Sequence, residues 1–411
     1  MNSAKGTAIV YDWIDKWGGV ERVLLALSEI FPEADFFTSY YDKEGAAWAK
    51  NLKIKTSFVD KLPRFIKKGR ITSFPFYSYV FESFDFSAYD LVVSVTSSFA
   101  KSVITKPGTQ HLCYLLTPTR YLWIQPENYF QNNFIFSLIK PYINCIKNWD
   151  LVVAQRPDKI ISISQTVADR CQRYYKRKSK VVYPPFDVEY WKQVQSAKFP
   201  SARAQGEGKV QSYSSKFKVV ENKRYFLVVS RLEPYKKIDL VINVFNQLAL
   251  QSKNRSHQDC TSLIIVGGGS QEKKLKKIAG GNIYFYNKLT DEELGCLYSR
   301  AQALIMPQEE DFGYVSLEAQ FFGCPVIAYK KGGATETVIA GKTGLFFDSQ
   351  TKESLIKALE RFEAKSYNIR TNTKKFGPEN VERFDKRIFN KKFNETISNI
   401  TTQNSNPKTQ N

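Results

Sequence analysis

Short apolar runs bounded by Gly, Pro, Asp and Ser alternate along this chain with longer segments whose apolar positions recur every third or fourth residue. That alternation predicts strands and helices in turn, and therefore a parallel α/β sheet, built twice. In the first half the predicted strands are Thr7 to Tyr11, Phe36 to Ser39, Leu91 to Val95, His111 to Leu116, Lys159 to Ser164 and Val181 to Tyr183. Val23, Leu24, Leu27 and Ile30 fall at helical spacing in a helix expected over 20–30, and a second helix is expected over 165–175. Pro184-Pro185 then stops the pattern. In the second half strands are expected at Tyr225 to Val229, Ser262 to Val266, Ile283 to Tyr286, Ala303 to Met306 and Pro325 to Ala328, with an amphipathic helix over 238–250. The domain organisation that follows is a parallel-sheet domain over residues 1–190, a polar linker or insertion over 191–222 and a second parallel-sheet domain over 223–378. Val381, Phe384, Ile388, Phe389 and Phe393 mark a last helix over 379–400, and the patternless polar residues 401–411 are expected to be disordered.

With 411 residues and 43% hydrophobic content, the chain has ample material for two cores. Met1 to Gly6 lack the apolar centre of a signal peptide, and no apolar stretch approaches the length that crosses a bilayer. Cys113, Cys145, Cys171, Cys260, Cys296 and Cys324 show no metal-ligand spacing and read as reduced core residues of a cytoplasmic protein. The net charge of +20 is concentrated. Between Asn51 and Val80 seven basic residues (Lys53, Lys55, Lys61, Arg64, Lys67, Lys68 and Arg70) face one acid, Asp60, with Phe58, Phe65, Phe74, Phe76, Tyr77, Tyr79 and Phe81 interleaved or close behind. Such a segment suits the surface of an anionic membrane leaflet, with a second cluster over 173–180 extending it. A plain basic, solvated surface is the alternative reading. Nucleic acid is not expected as a partner, because no nucleic-acid motif accompanies the charge.

The candidate chemistry begins at Glu309-Glu310-Asp311-Phe312-Gly313-Tyr314-Val315-Ser316-Leu317-Glu318, where two carboxylates stand eight positions apart across a loop-to-helix junction. Gly313 allows close backbone approach to a ligand, and eight helical positions would span roughly 12 Å, about the length of a folded nucleotide-sugar. Glu310 would then accept sugar hydroxyls and Glu318 ribose hydroxyls, with a phosphate at the helix start. Taken alone, the segment also reads as a capped surface helix with solvated acids. Ser230-Arg231-Leu232-Glu233-Pro234-Tyr235-Lys236-Lys237 follows a predicted strand at its carboxyl end, where open parallel sheets bind ligands. Arg231 offers phosphate oxygens a rigid fork and Lys236 a flexible point charge.

With Arg-x4-Lys and Glu-x7-Glu both present, the chain resembles glycosyltransferase family 4, of the bacterial surface-polysaccharide mannosyltransferase type. Tyr11-Asp12-Trp13 through Gly18-Gly19-Val20-Glu21-Arg22 is similar to that family's first loop, and Gly332-Gly333-Ala334-Thr335-Glu336 to a later one. The resemblance implies a GT-B fold: two Rossmann-like domains facing across a cleft, with the last helix crossing back to the first. It implies a retaining enzyme moving a hexose, mannose being the one suggested, from a nucleotide-diphosphate sugar to a lipid-linked or oligosaccharide acceptor at the inner face of the cell membrane, with no metal and no further cofactor. Arg231, Lys236 and Glu310 would be catalytic, and Gly18, Gly19, Phe312, Gly313, Tyr314, Val315 and Glu318 would bind the donor. Asp12 and Arg120 are candidates for acceptor or donor contacts, with strand capping an equal alternative for Asp12.

One departure bears on activity. The family usually carries a His before Thr-Pro-x-Arg-Tyr, and here Leu116 precedes Thr117-Pro118-Thr119-Arg120-Tyr121. His111 is predicted to project to the opposite face of the same strand. A nucleotide-sugar-binding relative with little or no turnover is therefore kept as an alternative. More distant are a glycoside hydrolase, which needs carboxylates facing across the scissile bond, and a nucleotide-sugar epimerase.

Overall fold

The computed structural model describes residues 6–67, 76–124, 133–196, 224–252 and 261–404. Predictions falling on Phe74, Lys68, Arg70, Cys260, most of the 191–222 segment and most of the tail lie outside them. The chain forms two compact units, residues 1–185 with 386–411 and residues 186–385.

The first unit is built on strands β1 (Thr7–Tyr11), β2 (Asp35–Thr38), β3 (Lys53–Thr56), β4 (Leu91–Thr96), β5 (Gln110–Leu115), β6 (Lys159–Ser162) and β7 (Lys180–Val181). They form one sheet of order β3-β2-β1-β4-β5-β6-β7, with every neighbouring pair parallel. β1 and β4 are buried along their whole length, which is why they read as continuous apolar runs in sequence. β3 was not predicted: its Lys-Ile-Lys-Thr sequence sits at the sheet edge with three of four residues exposed, so it has no apolar run to show. Val23, Leu24 and Leu27 of the helix Val20–Ile30 are buried. The predicted 165–175 helix is α-helical from Gln165 to Arg170 and then widens into a π-turn over Cys171–Tyr175.

The second unit carries β8 (Tyr225–Val229), β9 (Ser262–Val266), β10 (Ile283–Tyr286), β11 (Leu304–Met306), β12 (Val326–Tyr329) and β13 (Gly344–Phe347) in the order β10-β9-β8-β11-β12-β13, again parallel throughout. β13 was also missed. It opens on a glycine whose added Cβ would lie 2.0 Å from the Val326 carbonyl oxygen, so close pairing rather than side-chain pattern defines it. Both units are thus Rossmann-like parallel α/β sheets, as the pattern predicts.

Where the sequence places a polar linker from 191, the structure has the helix Val188–Ser196 in the second unit, with Trp191 buried and stacked on Phe186 at 6.1 Å. The single helix expected over 379–400 is two. Lys352–Glu382 belongs to the second unit, and Lys386–Asn404 belongs to the first, where Phe389 and Phe393 pack on Tyr114 of β5. Cys113, Cys171 and Cys324 are buried free thiols, whereas Cys145 is exposed, so the reading of all cysteines as core residues does not hold for it.

Candidate functional site

The second unit brings the two halves of the predicted site into contact. β8 ends at Val229, and the chain turns through a short 3-10 segment, Pro234–Lys236, before the helix Ile238–Ser252. Leu232 is fully buried and pins this loop to the core. The turn after β9 holds it from beside: Leu232 N–H donates to the Gly268 carbonyl at 2.9 Å, Gln271 N–H donates to the Leu232 carbonyl at 2.9 Å, and Ser270 Oγ donates to Glu233 at 2.6 Å. A Cβ on Gly269 would lie 2.5 Å from the Leu232 carbonyl oxygen, so the Gly267-Gly268-Gly269 run exists for this close approach.

Lys236 is 6% exposed, and its ammonium is ion-paired to Glu310 Oε1. The same oxygen accepts from Gln308 Nε2 at 2.8 Å, and the ammonium lies 5.2 Å from the Tyr235 ring centre. Arg231 is exposed, and its guanidinium donates to the Tyr235 hydroxyl at 2.6 Å. Tyr235 thus fixes both cations, and Gln308 orients the carboxylate. Sequence reasoning missed these two positioning residues, although Tyr235 lies inside the basic segment it singled out.

Glu310 is set by its backbone as well. It forms a parallel bridge with Gly332, and Gly333 N–H donates to its carbonyl at 2.8 Å. Gly332 has φ of +72°, and an added Cβ would lie 2.2 Å from the Glu310 carbonyl oxygen, so the Gly332-Gly333 loop is the backbone partner of the acidic loop. Gly313 caps the helix Tyr314–Phe321 in the left-handed region, φ +91°. Because the helix begins only at Tyr314, Glu310 lies in the loop, and the predicted eight-position helical ruler between Glu310 and Glu318 does not exist.

Glu318 is 4% exposed and accepts from the buried Tyr298 hydroxyl at 3.1 Å. Phe312 is buried and packs on Phe384 and Tyr314, so its side chain serves the core and only its backbone is available to a ligand. Tyr314 and Val315 are half-buried at the helix start.

The remaining predicted positions lie in the first unit. Asp12 has no exposed surface. Its carboxylate accepts from Thr96 Oγ1 at 2.8 Å and from the amides of Ser97 at 2.7 Å, Phe99 at 2.9 Å and Ala100 at 2.9 Å. This is the arrangement of the capping alternative: Asp12 closes the end of β4 and is enclosed by the loop that follows it. Burial still pushes its pKa above the ordinary carboxylate value despite those bonds.

Gly18 and Gly19 precede the helix Val20–Ile30 as predicted, and Glu21 is buried in its first turn. Burial, aided by the Asp15 charge, raises Glu21 to about 7. Stability from this group is complete below the unfolded value of 4.5 and is lost as pH rises through about 7. Replacing Glu21 with Gln is expected to flatten the fall in melting temperature between pH 5 and pH 8 and to raise the value at pH 8. Thermal melts across that window check it, and an unchanged slope refutes it.

Thr117 and Thr119 are buried, and Leu116 and Arg120 are half-buried. Beneath them lies a buried ion pair that the sequence did not reveal, Lys101 Nζ to Asp150 Oδ1 at 2.6 Å, with side-chain exposures of 1% and 0%. Asp150 also accepts from Trp123 Nε1 at 2.7 Å, the Tyr175 hydroxyl at 2.9 Å and Thr119 Oγ1 at 3.1 Å. His111 is buried within the sheet, with Nε2 at 2.8 Å from Ser94 Oγ, and burial lowers it to about 3. A neutral, enclosed imidazole cannot stand in for the missing His at position 116.

The doubly built parallel sheets are those of GT-B proteins. HepE of Anabaena, solved with UDP and glucose, superposes with a TM-score of 0.69 at 19% identity, covering 96% of this chain and 99% of that one. Residues 210–380, under half of the chain, match the family model Glycosyl transferases group 1, and the chain has the GT-B fold. Among sequence relatives, the GDP-mannose-dependent alpha-(1-6)-phosphatidylinositol monomannoside mannosyltransferase of Mycolicibacterium smegmatis is 33% identical over 144 residues, which is 32% of this chain and 36% of that protein. Alpha-1,3/1,6-mannosyltransferase ALG2 of Dictyostelium discoideum is 27% identical over 198 residues, 44% of this chain and 46% of that protein. The matched region spans under half the length of these curated relatives.

Proposed function

We propose that this protein is a retaining glycosyltransferase that moves mannose from a nucleotide-diphosphate sugar, GDP-mannose first among them, to a lipid-linked or growing surface polysaccharide. The observation that carries the proposal is the Lys236–Glu310 pair, which sets an ammonium and a carboxylate side by side at the carboxyl ends of β8 and β11. Breaking a sugar–diphosphate bond places negative charge on the leaving phosphate. Lys236 and Arg231 meet that charge without a metal, and Glu310 takes the sugar hydroxyls. Mannose is supported by the GDP-mannose dependence of the Mycolicibacterium relative and by the mannosyltransferase ALG2. In this proposal Gly18 and Gly19 supply backbone amides to the donor, and Glu318 reads the ribose.

A place on the inner face of the cell membrane is part of the same proposal. Among the described residues no helix is long and apolar enough to cross a membrane. Phe65, Tyr79 and Phe58 are 71%, 67% and 43% exposed among the basic residues Lys61 and Arg64, a combination suited to an anionic leaflet.

Leu116 supports a second reading, a binder without turnover. One experiment separates them: melting temperature with GDP-mannose and with UDP-glucose, followed by transfer to acceptor lipid in anionic vesicles that are also floated. Stabilisation by GDP-mannose in excess of UDP-glucose, with turnover and co-flotation, is expected. Stabilisation without turnover establishes the binder, and no stabilisation by either donor removes the proposal.

A further inference from the structure

In the first unit a cavity of about 250 Å³ is lined by Tyr40, Tyr41, Asp42, Lys43, Glu44, Arg64 and Lys67. It joins the segment after β2 to the short helix Arg64–Lys67. It also adjoins the loop that leads to Gly18-Gly19: Ile14 bridges Tyr41, Asp42 N–H donates to the Ile14 carbonyl at 2.8 Å, and the Tyr40 hydroxyl donates to Asp15 at 3.2 Å. Phe65, on the same short helix as Arg64 and Lys67, is the most exposed aromatic among the described residues of the basic segment.

The charge around the cavity is balanced. Lys67 is already held by Asp60, at 2.9 Å to the carbonyl and 3.1 Å to the carboxylate. Around it stand Arg64, Lys43 and Glu44, with Asp42 already accepting from the Gly45 N–H at 3.4 Å. A phosphate would meet two carboxylates here, at a cost in like-charge repulsion. A neutral polyol meets no such cost, because each hydroxyl both donates and accepts, and the lining offers cationic donors, carboxylate acceptors and tyrosine rings. At roughly 30 Å³ per water the space holds about eight waters. That is room for one pyranose ring with its hydroxyls.

We propose that this cavity is a subsite for one sugar residue of the acceptor glycan, placed between the exposed aromatic segment and the Gly18-Gly19 loop. Its role in transfer rests on the reading above, whereas its ability to bind a sugar does not. The test is ligand-observed NMR on the full chain with methyl hexopyranosides and no donor, inorganic phosphate being the competitor. Saturation transfer to pyranoside ring protons is expected. It should persist in phosphate, and affinity should fall at least about tenfold in an Arg64→Ala/Glu44→Ala double variant, which removes two charged hydrogen-bonding groups. Both side chains are exposed, and an unchanged melting temperature confirms that the variant is folded. In the transfer assay the same variant should raise acceptor KM and leave donor KM unchanged. No pyranoside signal in the wild type, an unaltered signal in the variant, or displacement of the sugar by phosphate each overturns the subsite. If pyranosides bind while no donor stabilises the protein, the subsite stands and the transferase reading falls.

Discussion

Replacing Lys236 with Ala is expected to lower sugar transfer by about 10²–10³, the loss seen when one preorganised charge-stabilising donor is removed from a reaction centre. The reason lies in its placement. A solvated lysine would bring its ammonium to a phosphate only by giving up water and side-chain freedom. Lys236 is 6% exposed and already fixed by Glu310 and the Tyr235 ring. Glu310→Ala should lose transfer to a similar degree, because it removes both the proposed sugar contact and the group that orients the ammonium. If the two act as one unit, the double variant loses little more than either single one. Steady-state kinetics with circular dichroism as the folding control measure this. Near-normal turnover in both single variants rules out the site, and additive losses rule out the unit.

The second large effect concerns stability. Asp150→Ala should cost about 3–5 kcal/mol, since it strands the Lys101 ammonium in the core. The side chain it removes serves four donors: Lys101, Trp123, Tyr175 and Thr119. Lys101→Met should cost less, because the remaining carboxylate keeps three neutral donors. Chemical denaturation gives both values, and a loss below about 1 kcal/mol for Asp150→Ala would show that the cluster relaxes or admits water. The cluster lies directly under Thr117 to Tyr121, so the less damaging Lys101→Met is also the variant in which a displaced Arg120 can be read from acceptor KM.

Much of this architecture was legible because it is local. The buried strands β1, β4 and β9, and β8 up to Val228, announce themselves as apolar runs, since both faces of a central parallel strand are covered. The edge strands were missed: β3 is polar and mostly exposed, and the apolar run of β13, Leu345 to Phe347, is short and only part-buried. The break at Arg383 to Asp385 was missed too, because Val381, Phe384 and Phe389 keep helical spacing across it, and only packing sends the two helices to different units.

The same division runs through the site. Sequence by itself offered Arg231, Lys236, Glu310 and Glu318 as candidates, through their spacing and the family resemblance it carries, because strand ends and helix starts are set by neighbours along the chain. Tertiary structure alone decided which of these groups touch. It joined Lys236 to Glu310, separated by 74 positions in sequence, and enclosed Asp12 and His111 away from solvent. It also assembled Asp150 with Lys101 from elements that no periodicity connects. The physical reason is that burial and pairing of charges depend on which surfaces meet on folding, and a linear pattern records which surfaces are apolar without recording their partners.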